Sequence, residues 1–139
     1  MGGLGYKNSK SIAYIVKVGS SKRSKAQTET LVKYLRKVSP FLSKADHSLL
    51  VTLLDKLSIS EVRKGGAILN QDEEDNVQLI ILEGIVSKVK DGKIVTQFDK
   101  NSVIGDDVLR QPFTMRKYRN YSIVANTDVK VLICTKASF

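Results

Sequence analysis

Between Arg63 and Leu109 the chain is cut at short intervals by turn signals: Lys64-Gly65-Gly66, Asp75-Asn76, Glu83-Gly84, Asp91-Gly92 and Lys100-Asn101. No helix of ordinary length fits between them. Residues 77–82 and 85–90 are short and rich in branched side chains, so they read as strands. Glu83-Gly84 reads as a tight turn. Asp91-Gly92 is the strongest hairpin signal in the chain, because the primed two-residue turns need positive φ at their central residues. Short strands at this spacing predict an antiparallel barrel or jelly roll.

Further strands are expected at 58–63, 67–70 and 93–98, with closing strands at 121–125 and 129–134 that turn at Asn126-Thr127-Asp128. Residues 104–109 read as a strand end running into one short helix. Pro112 and the polar stretch 114–120 read as a loop.

The first third of the chain carries a different period. A helix is expected at 28–37: Leu31, Tyr34, Leu35 and Val38 fall on one helical face, and Pro40 ends it. Phe41 and Leu42 form an apolar plug. Ser43 and Asp46 have the spacing of a capping box, opening a helix with Leu49, Leu50, Leu53, Leu54 and Leu57 at helical spacing. Residues 12–18 fit either a short strand or a helix turn, and 19–25 read as a linker. The predicted fold is mainly β with flanking helices: an antiparallel β jelly-roll barrel preceded by an N-terminal helical bundle. The predicted organisation is a basic flexible arm or linker at 1–27 and one domain at 28–139, with helices at 28–57 and the jelly roll at 58–135.

Charge is unevenly placed. The net charge is +9, and before Val38 nine basic residues face only Glu29. Such an arm suits nucleic acid or an acidic membrane surface, but it has no recognition-helix pattern and few aromatics to stack bases. A solvated lead-in is the simpler reading. Lys22-Arg23-Ser24 also fits a short kinase recognition string. A single cysteine, Cys134, excludes an internal disulfide framework and a Cys-built zinc site; its expected role is to pack in the core. No apolar run approaches the roughly 20 residues of a membrane helix, and a cytoplasmic location is expected. One histidine, His47, and no nucleophile–base or metal spacing argue against an enzyme. The run Asp72, Glu73, Glu74, Asp75 lacks the alternation of a calcium loop and reads as a solvated turn.

The ordered set of segments has a family likeness. Pro40-Phe41-Leu42 follows a helix, and a Leu49, Leu50, Leu53, Leu54 helix comes next. Then come Lys64-Gly65-Gly66-Ala67-Ile68, Asn70-Gln71-Asp72, the run from Leu79 to Val86, the run from Ile104 to Leu109, and Ser122-Ile123-Val124-Ala125. From about Thr28 to Phe139 this resembles the cyclic nucleotide-binding domains of cAMP- and cGMP-dependent kinases, channels and related regulators. The resemblance implies an eight-stranded jelly roll with helices before and after it. It also implies a cassette, Phe-Gly-Glu-x-Ala-Leu and later Arg-x-Ala-Thr. There, backbone amides of a short helix cradle the cyclic phosphate, the arginine contacts it, and the glutamate accepts the ribose 2′-hydroxyl.

Carried onto this chain, the cassette places cyclic-nucleotide-binding residues at Gly105, Asp106, Asp107, Val108, Leu109, Arg119, Asn120 and Ser122. Gly105 and Leu109 match the pattern. Asp106 is one methylene shorter than the glutamate, and Val108 replaces the small alanine. Arg119 falls thirteen residues beyond Asp106, a longer gap than the family has, and Asn120 and Tyr121 replace small or hydroxyl residues. Arg116 and Lys117 compete for the anionic role. Each buried polar group left unpaired costs about 1–3 kcal/mol. The expectation is therefore a regulatory domain of a cyclic-nucleotide-dependent kinase or related signalling protein, with weak or lost ligand binding and neighbouring domains as partners. Its lid helices are expected beyond Phe139. The alternative is a working sensor whose ligand is cAMP or cGMP, held by Asp106 and Arg119. No other cofactor is expected.

Overall fold

The computed structural model describes residues 9–110 and 116–135. Four helices come first: α1 (Ser9–Val18), α2 (Lys25–Val38), α3 (Pro40–Ser43) and α4 (His47–Leu54). Eight strands follow: β1 (Leu57–Val62), β2 (Ala67–Leu69), β3 (Val77–Glu83), β4 (Val86–Lys90), β5 (Lys93–Phe98), β6 (Val103–Ile104), β7 (Ser122–Ala125) and β8 (Val129–Thr135). A 3₁₀ turn at Asp106–Arg110 sits between β6 and β7.

The strands pair antiparallel in two four-stranded sheets, ordered β1-β8-β3-β6 and β2-β7-β4-β5. The two antiparallel sheets fit the jelly-roll expectation, but no ladder among the described residues joins them, so the arrangement there is a sandwich and not the expected barrel. Gly84 marks where the chain crosses from one sheet to the other: its φ is +91°, and an added Cβ would strike the Asp128 carbonyl. Asp91-Gly92 forms the expected hairpin turn between β4 and β5, with φ of 51° and 80°.

β3 explains why the sheets differ. Leu79 and Ile81 on one face join Leu69, Val86, Ile123, Ala125, Val129 and Val131 in a core between the sheets. Ile80 and Leu82 on the other face join Leu31, Leu35, Leu50, Leu53 and Leu54 from the helices. The period of two along a strand thus feeds two cores. On β5 of the second sheet, Ile94 and Val95 are exposed.

Two expectations about the first third are corrected. The segment read as a flexible arm at 1–27 contains, from residue 9, an ordered helix: Ile12, Ala13, Ile15 and Val16 of α1 are buried in the helix-side core. Residues 1–8 of that arm lie outside the described part. Arg23 fixes the junction after α1, since its guanidinium donates to the carbonyls of Ile15 (2.9 Å), Val16 (3.2 Å) and Leu54 (3.0 Å). It thereby caps the C-terminal ends of two helices. Ser24 of the suggested kinase string is the N-cap of α2, in a capping box with Gln27. The second correction concerns α4: Asp46 caps it, accepting from the Leu49 amide at 3.2 Å, while Ser43 donates to the Pro40 carbonyl instead. Cys134 is buried as expected.

Candidate functional site

A cavity of about 350 Å³ opens at the end of the sandwich, among β4, β5, β6, the 3₁₀ turn and residues 117–121. Its charged and aromatic walls are Asp75, Lys88, Phe98, Asp107, Lys117, Tyr118 and Tyr121, with Gly105 and Asn120 adding to them. β4 brings Lys88 there because Val86, two residues earlier on the same face, points into the inter-sheet core. Lys88 Nζ lies 4.6 Å from the centre of the Tyr121 ring, a cation–π distance. Burial, reinforced by the neighbouring Asp75 carboxylate, pushes the Tyr121 phenol up to about 12, so it stays a neutral donor.

Gly105 is where the backbone needs its glycine. Its φ is +84°, and an added Cβ would stand 2.5 Å from the Val77 carbonyl oxygen. The two aspartates that follow part company. Asp107 lines the cavity and is paired with Lys117 at 3.8 Å. Asp106 turns the other way: Oδ1 accepts from Ser39 Oγ (2.5 Å) and Gln78 Nε2 (2.8 Å), and Oδ2 accepts from the Phe41 amide (2.9 Å). Val108 and Leu109 are buried as packing residues, and Leu109 belongs to the helix-side core.

Arg119 is also turned inward, with its side chain only 3% exposed. Nη1 donates to the Asn70 carbonyl at 2.8 Å and Nη2 to the Glu74 carbonyl at 3.0 Å. Nε faces the buried Asp75 Oδ1 at 3.5 Å. The backbone completes the clamp: the Arg119 amide donates to the Glu73 carbonyl (2.8 Å), and the Asp72 amide to the Arg119 carbonyl (2.7 Å). The acidic run 72–75, expected as a solvated turn, is thus wrapped around an arginine and buries one of its acids, Asp75. Ser122 accepts from the Gln71 amide at 2.8 Å.

Of the eight residues the sequence singled out, the cavity gathers Gly105, Asp107 and Asn120; Asp106, Val108, Leu109, Arg119 and Ser122 face other partners. Arg116 pairs with Glu74 at 3.7 Å on the surface. Sequence reading missed Asp75, Lys88 and Tyr121. An inward-facing lysine two residues from a core valine was the available signal for Lys88. Pro112 and Thr114 lie outside the described residues. Among those described, no cluster of His, Cys, Asp and Glu is arranged to hold a metal, and no helix is long and apolar enough to cross a membrane.

No protein-family model and no curated protein sequence matches the chain. Solved structures do. The regulatory subunit of a cAMP-independent protein kinase A from Trypanosoma brucei is 31% identical, with a TM-score of 0.61 over 78% of this chain and 40% of that one. The corresponding subunit from Trypanosoma cruzi, bound to guanosine, is 28% identical, with a TM-score of 0.63 over 81% of this chain and 40% of that one. Residues 141–441 of PfPKA-R, with cAMP bound, match at 21% identity and a TM-score of 0.61 over 81% of this chain and 38% of that one, a likeness of fold. The chain spans about two-fifths of the length of these neighbours. In fold, in the order of its parts and in these likenesses, the chain is a domain of the cyclic nucleotide-binding type.

Proposed function

We propose that this is a non-catalytic regulatory domain of a larger signalling protein, with a pocket that takes an uncharged nucleoside in preference to a cyclic nucleotide. The observation that carries the reading is the direction of two side chains. Asp106 and Arg119, the groups a cyclic nucleotide would call on for its ribose and phosphate, are engaged by the protein itself. The cavity is lined instead by two lysines and two aspartates, a balanced set, with Tyr118 and Tyr121 to meet a base. Carboxylates favour hydroxyl and amine donors and repel a phosphate. The likeness to a guanosine-bound subunit and to one described as cAMP-independent supports the same direction. The helices on the outer face of the first sheet are the part that would hand a signal to neighbouring domains, with a kinase as the partner in that reading.

Calorimetric titration with guanosine, cAMP and cGMP tests this. Saturable binding of guanosine, with both cyclic nucleotides at least about tenfold weaker, equivalent to about 1.4 kcal/mol, is the expected result. Tighter binding of cAMP or cGMP would make the domain a cyclic-nucleotide sensor after all, with Arg119 released from its carbonyls. No heat with any of the three would leave a fold kept for packing.

A further inference from the structure

We infer that the outer edge of β5 is a docking site for an extended acidic segment of a partner protein, which adds to the second sheet as a further strand. β5 ends that sheet, and β4 is its one ladder partner among the described residues. Alternate backbone N–H and C=O groups of such a strand point away from its sheet, and another extended backbone is what pairs with them.

The other three sheet edges are blunted. β2 is three residues long and β6 two, too short to template a strand. β1 has α1 packed against it, with Lys17 paired to Glu61 at 3.3 Å. β5 differs from all of them. It is six residues long, and residues 94–98 hold no charge and no proline. Ile94, Val95, Thr96 and Phe98 are strand formers. Lys93 to Gln97 are all exposed, Ile94 by 64% and Val95 by 57%. The ladder slips between Lys88 and Val89, which leaves Val95 opposite no residue of β4 and sets Ile94 across from Val89. Two large aliphatic side chains therefore stand together on the open strand.

Charge selects the occupant. Lys90 and Lys93 lie directly opposite each other across the hairpin, a pairing that destabilises a sheet by itself. The carboxylate between them is engaged elsewhere: Asp91 Oδ1 accepts from Gln71 Nε2 at 2.8 Å, and the Asp91 amide donates to Gln71 Oε1 at 3.1 Å. Neither lysine has an ion pair among the described residues. A segment whose carboxylates meet this pair relieves the repulsion, while its aliphatic side chains meet Ile94 and Val95. A second copy of the chain would bring the same lysines and a net charge of +9, which opposes self-pairing. A lipid surface fits less well, because the tip of the hairpin, Asp91-Gly92, is polar and the apolar pair lies along the strand.

The test is an amide NMR titration of the chain with the end-blocked peptide Glu-Val-Glu-Val-Thr-Val-Thr-Val. Saturable shifts at residues 93–98, with none along β1 or β2, are expected. Replacing each glutamate of the peptide by lysine is expected to weaken binding about fivefold or more, and Lys93→Glu to reverse that preference. Methylating alternate backbone nitrogens of the peptide gives two forms with unchanged side chains. One form is expected to lose binding and the other to keep it, because only one edge of the added strand faces β5. Equal binding by both forms overturns strand addition, and equal binding by the acidic and basic peptides overturns the acidic occupant. Absence of saturable shifts overturns the inference as a whole. So does a dimer of the free chain, or its attachment to phosphatidylserine vesicles, that Val95→Asp abolishes, since the edge would then belong to a second copy or to a lipid surface.

Discussion

The helix-covered side of the first sheet and the cavity end of the sandwich solve burial in opposite ways. On the helix side Leu31, Leu35, Leu50, Leu53, Ile80 and Leu82 meet one another, and Arg23 stays at the margin on three carbonyls. Burial there holds Arg23 below its usual range, opposed by the Asp55 carboxylate. At the cavity end the interior itself is charged: Arg119 and Asp75 are both buried, and Lys88 leans on Tyr121. The first region is held by apolar packing, which tolerates small local loss. The second is held by matched polar partners, where removing one strands the other.

The sharpest break in that comparison is Arg119→Ala. Sequence reasoning alone assigns Arg119 to a ligand, so its removal should spare the stability of the free domain. The structure reverses that expectation, because the substitution leaves Asp75 buried and unpaired and two carbonyls without donors. A loss of about 3–5 kcal/mol is expected for a broken buried pair, measured by urea unfolding without ligand. An unchanged midpoint would return Arg119 to a purely ligand-binding role.

Leu82→Ala tests the apolar side. Leu82 is fully buried in the helix-side core. The cost of the lost contacts plus the cavity is about 2–5 kcal/mol, and guanosine affinity per folded molecule should hold, since Leu82 does not line the pocket. A selective loss of affinity would mean that the two regions are less separate than their packing suggests.

The smallest expected effect is alkaline. Burial pushes Tyr34 and Cys134 on the helix side, and Tyr121 at the cavity, up to about 12 from ordinary values of 10.0 for tyrosine and 9.0 for cysteine. Below the ordinary values all three groups are protonated in both states. As pH rises toward 12 the unfolded chain gives up protons that the folded chain keeps, so stability is lost through that window. Tyr34→Phe removes the helix-side tyrosine from the decline at the cost of its hydrogen bond to Asn101 (2.9 Å), and Tyr121→Phe removes the cavity-side one. Denaturation midpoints between pH 9 and 12 are expected to fall less steeply in each variant; identical slopes would show that these groups ionise with the fold intact.

Much of this was legible in the residues. The strand spacing, the Asp91-Gly92 hairpin, the stop at Pro40 and the leucine face of α4 up to Leu54 follow from local rules about period, φ and proline, whereas Leu57, expected on that helix, opens β1. Arg23 was not legible, because a cation in a Gly/Ser/Lys stretch looks solvated until the ends of two helices converge on it. Asp46 is the cap and not Ser43 because α4 starts only at His47, and the Ser43 hydroxyl donates to the Pro40 carbonyl.

The sequence by itself determined the class of fold and the order of its parts, since turn chemistry and side-chain periodicity act over a few residues. Only the tertiary structure decided what the polar side chains are for. Asp106 and Asp107 are neighbours with the same chemistry, yet one reaches across 67 positions to Ser39 and the other faces the cavity. Arg119 closes on carbonyls 45 and 49 positions away. A buried charge goes where long-range packing has left it a partner, and that choice is set by the whole fold.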